Sequence, residues 1–69
     1  MGDRFPQRLR MLRERRGISR RVLSELCGLS KNMISRYERG ERSPSLSDAV
    51  KLARFFGVSL DQLAGADEK

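Results

Sequence analysis

Apolar residues recur along this chain at helical spacing, and no stretch sustains the alternation of a strand. Phe5, Leu9 and Leu12 fall four and three residues apart, with Pro6 suited to a first turn and Gly17 to a stop. This predicts a helix over 5–16. Ser19 reads as an N-cap for a second helix over 20–27, carrying Val22, Leu23, Leu26 and Cys27 up to Gly28. Ser30 reads as the N-cap of a third, over 31–39, ended by Gly40. Pro44 and the small polar residues around it mark a loop. Ser45-x-x-Asp48 then opens a fourth helix over 46–56, and Ser59-x-x-Gln62 opens a short fifth over 60–64. Residues 65–69 have no apolar pattern and are expected to fray.

Helices this short are marginal alone in water, so each must lay its stripe on a shared core. The expected core is Phe5, Leu9, Leu12, Ile18, Leu23, Leu26, Leu29, Ile34, Tyr37, Leu46, Val50, Ala53, Phe56, Val58, Leu60 and Leu63. The fold class is all-α, a compact five-helix bundle in one domain spanning 1–69. Only Gly28, Leu29 and Ser30 separate the second and third predicted helices. A short glycine-containing link between two short helices is the local signature of a helix-turn-helix.

Charge sharpens the picture. The chain has 15 basic and 9 acidic side chains, net +6, and 12 of the bases are arginine. Residues 4–42 hold twelve of the bases against four glutamates, whereas residues 43–69 are slightly acidic. That asymmetry is the footprint of a polyanion binder, although +6 alone also suits an ordinary solvated surface. The chain has one cysteine and no histidine, which leaves no disulfide, metal set or Ser-His-Asp triad. No cofactor, no small-molecule ligand and no enzymatic activity are expected. No apolar run approaches the ~18 residues of a membrane span, and Met1–Arg10 has no signal-peptide core. A cytoplasmic protein, or a fragment of one, is expected.

The third predicted helix carries the candidate chemistry. With Ile34 and Tyr37 turned inward, Lys31, Asn32, Ser35 and Arg36 face outward, with Met33 at the margin. Arg and Lys donate to guanine O6 and N7, and Asn pairs with adenine N6 and N7. A plain solvated face is the common alternative, but it leaves unexplained why no carboxylate lies between Glu25 and Glu38.

Taken together, Leu23–Gly28, Ile34-x-x-Tyr37-Glu38-x-Gly40, Pro44-Ser45-Leu46 and Phe56-Gly57-Val58-Ser59 resemble the helix-turn-helix family of phage repressors and Cro proteins, the lambda-repressor-like or Xre type. The resemblance covers roughly Arg8 to Leu63. It implies a transcriptional regulator, a repressor by preference, that binds double-stranded DNA sequence-specifically with its third helix in the major groove. By resemblance, Lys31, Asn32, Met33, Ser35 and Arg36 match base-contacting positions. Ser30, Arg39 and Arg42 match places where caps and loop residues meet phosphate, and Arg20 and Ser43 are expected to join them, with Arg16 and Arg21 poorer candidates. Arg13 and Glu38 match an internal salt bridge. The chain departs from the pattern at Arg20, where many relatives carry Gln, and at Ser24, where many carry Ala. One subunit covers one half-site, so a homodimer on a near-palindromic operator is expected. The same fold also serves as an antitoxin or co-activator module whose business is protein interaction, and an apolar patch on the fourth and fifth helices would favour that reading.

Overall fold

Five helices form among the described residues, and most begin and end at residue types able to satisfy their loose backbone groups. A computed structural model describes residues 3–67 and places α1 at Phe5–Arg15, α2 at Arg20–Leu26, α3 at Met33–Glu38, α4 at Leu46–Phe56 and α5 at Leu60–Ala64. Ser19, Ser45 and Ser59 each accept the backbone N–H three residues on, at 3.1, 3.1 and 3.0 Å. At α5 the box is complete, because Gln62 Oε1 accepts from Ser59 N at 2.9 Å. At α4 it is not. The Asp48 carboxylate accepts from Tyr37 Oη at 2.7 Å and so ties α3 to α4.

The link between α2 and α3 is built on Gly28, whose φ of 67° lies in the left-handed region. Leu29 N donates to Ser24 O at 2.8 Å and Gly28 N to Glu25 O at 3.2 Å, a paired closure that ends α2 and reverses the chain. Leu29 then tucks against the core. The start of α3 corrects the expected boundary. Met33 N donates to the backbone carbonyl of Ser30 at 3.0 Å, and Ser30 is no N-cap. Asn32 holds the cap position without a side-chain bond, and regular helix runs from Met33 to Glu38 rather than over 31–39. Lys31 and Asn32 therefore stand in the turn that enters the helix. The first two helices are also each one residue shorter than predicted, with Arg16 and Cys27 as C-caps.

The core comprises Phe5, Leu9, Leu23, Ile34, Tyr37, Ala49, Leu52, Ala53, Phe56 and Leu63, with the Phe5 and Tyr37 rings edge to face at 5.8 Å. Burying each large aliphatic contributes ~1.5–3 kcal/mol. Leu12, Ile18, Leu29 and Val58 pack against it half-buried. Four expected members do not belong to it, Val50 among them, which is half-buried on α4 and outside the cluster. Leu26, Leu46 and Leu60 are 60%, 73% and 39% exposed, while Ala49 and Leu52 are buried in their stead. Leu46 and Leu60 lie three residues before Ala49 and Leu63, on the buried row but one turn beyond the edge of the core. Periodicity gives a direction, not a depth.

The C-terminal turn also differs from the expected fraying. Gly65 caps α5 at φ 75°, Ala66 N donates to Asp61 O at 2.9 Å, and Asp67 pairs with Arg8 at 3.0 Å. Arg8 Nη1 also donates to Gln62 O at 2.7 Å, so this turn is stapled to α1. Glu68 and Lys69 lie outside the described residues. No helix among the described residues is long and apolar enough to cross a membrane.

Candidate nucleic-acid interface

Ile34 and Tyr37 are fully or nearly fully buried, and they fix the roll of α3. The opposite side carries Arg36, exposed, and Ser35, half-buried, with Lys31 and Asn32 exposed in the turn before it. Ser30, Lys31, Asn32, Met33 and Arg36 line one open recess of about 310 Å³. Four of the five base-contact candidates thus share a concavity, and Ser35 lies outside it. Ser30, Arg42 and Ser43 are exposed, Ser30 at the start of this turn and the other two in the loop leading to α4.

The arginines divide by what already holds them. Arg13, buried, donates from Nε to Glu38 Oε2 at 2.7 Å, from Nη2 to Oε1 at 3.1 Å, and from Nη1 to Ile18 O at 2.9 Å. The hydrogen bond to Glu38 raises its pKa from an already high value, against the opposing effect of burial. Arg20 Nε donates to the same Glu38 at 3.1 Å. Arg39 forks onto Glu41, with contacts of 2.6 and 3.2 Å. Arg21 pairs loosely with Glu25 at 3.4 Å. Arg16 lies over the rings of Phe55 and Phe56, at 5.1 and 5.6 Å, and donates to Phe55 O at 3.2 Å. It is a strut between the ends of α1 and α4. Among the described residues, Lys31, Arg36 and Arg42 make no ion pair.

Sequence reasoning anticipated only the Arg13–Glu38 link, by resemblance, and missed the rest together with the Tyr37–Asp48 bond. The Glu41 contact had a visible signal, since the acid lies two residues from Arg39. The Tyr37–Asp48 bond had none, because the pattern Ser45-x-x-Asp48 pointed to a local cap instead.

Burial, reinforced by the hydrogen bond to Asp48, pushes the Tyr37 phenol up from 10.0 to about 12. The folded chain therefore holds its proton above the pH at which the unfolded chain releases it. The resulting stability is present below about pH 10 and lost as pH rises toward 12, an effect of about 2–3 kcal/mol. Urea midpoints taken from about pH 9 to 12 should fall for the native chain and decline less steeply for Tyr37→Phe. Parallel declines would remove Tyr37 as the cause.

Two further side chains sit near the turn. Cys27 is half-buried against the core, and burial pushes its thiol up, away from the thiolate a nucleophile needs. Ser24 is buried with its hydroxyl unpartnered among the described residues, a cost of ~1–3 kcal/mol at the departure from Ala noted above.

Comparison with known proteins gives one consistent result. A family model described as helix-turn-helix matches residues 9–63. The CTXphi phage transcriptional repressor RstR of Vibrio cholerae is 34% identical over 93% of this chain and 58% of its own length. The HTH-type transcriptional regulator PuuR of Escherichia coli is 36% identical over 91% of this chain and 34% of its own. The chain therefore spans between about a third and three-fifths of these curated relatives. The crystal structure of the restriction-modification controller protein C.AhdI from Aeromonas hydrophila superposes with a TM-score of 0.79 at 38% identity, covering 87% of this chain and 91% of that one.

Proposed function

The chain belongs to the helix-turn-helix family, and from that premise we propose that it is a transcriptional regulator that binds double-stranded DNA sequence-specifically. The observation that carries the reading is the recess of Ser30, Lys31, Asn32, Met33 and Arg36, presented by α3 and the turn that enters it, with the helix's inward face sealed by Ile34 and Tyr37. In this reading α3 enters the major groove, where Lys31, Asn32, Met33, Ser35 and Arg36 meet base edges. Arg20, Ser30, Arg42 and Ser43 hold phosphates, and Arg39 joins them once a phosphate displaces Glu41. Repression is the favoured sense, since RstR is named a repressor. Helix-turn-helix is a DNA-binding family and not an enzyme family. The protein-interaction alternative is not favoured, because the exposed Val22, Leu26, Leu46 and Leu60 are scattered over α2, α4 and α5.

The longest dimension of the domain, 31 Å, is close to one turn of duplex, which suits one chain per half-site. We infer a homodimer on a near-palindromic operator with half-sites ~34 Å apart, acting in the cytoplasm. Selection of bound duplexes from a random pool tests binding, specificity and symmetry together, and an unenriched pool overturns the reading. If about five phosphates are neutralised per subunit, log affinity falls with log salt with a slope near −0.9 per contact.

Within that frame the two kinds of contact separate. Arg36→Ala should cost ~1–3 kcal/mol of binding and relax base choice at one position. Arg42→Ala should weaken all sequences evenly and reduce the salt slope by about 0.9. Identical profiles for the two variants would contradict the assignment. Glu41 predicts a gain. Exposed ion pairs contribute only ~0–1 kcal/mol, so Glu41→Gln should leave the fold intact, free Arg39 and tighten low-salt binding about fivefold. Unchanged or weaker binding by Glu41→Gln would show that Arg39 meets no phosphate.

A further inference from the structure

Glu38 stands on the DNA-binding helix, yet the reading above gives it no part in binding DNA. The side chain is 3% exposed and receives three N–H donors from two arginines that arrive from different helices. Those arginines are not equivalent. Arg13 is spent, with Nε and Nη2 on Glu38 and Nη1 on the Ile18 carbonyl. Arg20 gives Glu38 only Nε, its side chain stays 48% exposed, and its Nη1 and Nη2 make no hydrogen bond among the described residues.

A guanidinium is planar, and its five donors keep a fixed fork. Fixing Nε against an immobile acceptor therefore limits where the Nη edge points. Glu38 is such an acceptor, because Arg13 holds both of its oxygens. We propose that Glu38 is a positioning residue for DNA binding: its buried carboxylate, clamped by Arg13, holds Arg20 so that the free Nη edge is presented ready-oriented to a backbone phosphate. The inference rests on the DNA-binding reading and deepens it. Side-chain freedom that a loose arginine would lose on binding is lost here during folding, which favours the complex. Burial also shields the phosphate from the acid, so the DNA meets the fork rather than the carboxylate. The Arg39–Glu41 pair is the counterexample on the same molecule. There both side chains are more than half exposed, and the acid competes with phosphate instead of aiming its partner.

The alternative is that Arg20 merely completes a structural ion cluster. A double-mutant cycle read in DNA affinity separates the two, using a fluorescent duplex of randomised sequence at low salt. Wild type, Arg20→Ala, Glu38→Gln and the double variant are compared. Glu38→Gln leaves one oxygen for three donors, so it should lose about fivefold in the wild-type background and nothing beyond twofold in the Arg20→Ala background. Equal losses in both backgrounds overturn the proposal. Stranding Arg13 threatens the fold of Glu38→Gln, so Arg20→Lys is measured beside it. Lysine keeps the charge but has no Nε anchor and no fork. It should keep the salt slope of the native chain while binding about tenfold more weakly, whereas Arg20→Ala should also reduce the slope by about 0.9. Arg20→Lys binding within twofold of wild type overturns the positioning role. These failures leave native binding intact. A native chain that binds no duplex at all overturns both this inference and the reading beneath it.

Discussion

Arg13→Ala should destabilise the fold by about 3–5 kcal/mol, toward the lower end because Arg20 still reaches the stranded Glu38. Three bonds disappear with the guanidinium: two to Glu38 and one to the Ile18 carbonyl. The carboxylate is sealed from water, so solvent cannot replace them. The loss falls on a joint, since Arg13 stands on α1 and Glu38 on α3. Domains of this size have total stabilities of only about 5 kcal/mol, so most of the margin goes. Arg20→Ala, at an exposed member of the same cluster, should cost at most about 1 kcal/mol. Urea unfolding followed by circular dichroism gives both values. Similar losses for the two variants would mean that burial does not distinguish the arginines.

Gly65→Ala should be the next most costly, at about 2–4 kcal/mol. Two effects combine. Gly65 holds φ at 75°, where an L side chain is strained by ~1–2 kcal/mol. A methyl there would also lie 2.5 Å from Arg4 Cβ and 3.4 Å from the Arg4 backbone, and so would push the C-terminal turn off α1. Gly28→Ala is the internal control. Its φ is 67°, but an added Cβ meets nothing within 4 Å, so only the strain applies. Thermal unfolding of the pair reads the steric part as a difference. If Gly65→Ala is no worse than Gly28→Ala, the turn is not pressed against α1 and Arg8 is not held there by Gln62 and Asp67.

Both effects arise where local pattern stops being informative. Helix positions were legible because serine caps, glycine stops and a 3.6-residue apolar rhythm are properties of neighbouring residues. The same rhythm put Ile34 and Tyr37 inside and left Lys31, Asn32 and Arg36 outside. Where a competing bond was available, the local rule failed. Ser30 looked like a cap, but its backbone carbonyl closes a tight turn onto Met33, and α3 starts two residues late. Asp48 looked like half of a capping box, but the phenol of Tyr37 claims it. The Arg13–Glu38 pairing came from the family resemblance and not from any periodicity.

The sequence by itself determined that five short helices form, where all of them but α3 begin and end to within a residue, and which side of α3 turns away from the core. Tertiary structure alone decided which arginines remain available. Arg16 goes to aromatic rings on α4, Arg20 is half-engaged by Glu38, and among the described residues Lys31, Arg36 and Arg42 make no ion pair. It also decided that Leu46 and Leu60 project past the core that their spacing pointed toward. The reason is range. Caps and amphipathic faces depend on residues three or four apart, whereas a side chain's partner and depth depend on how helices far apart in sequence come to lie together.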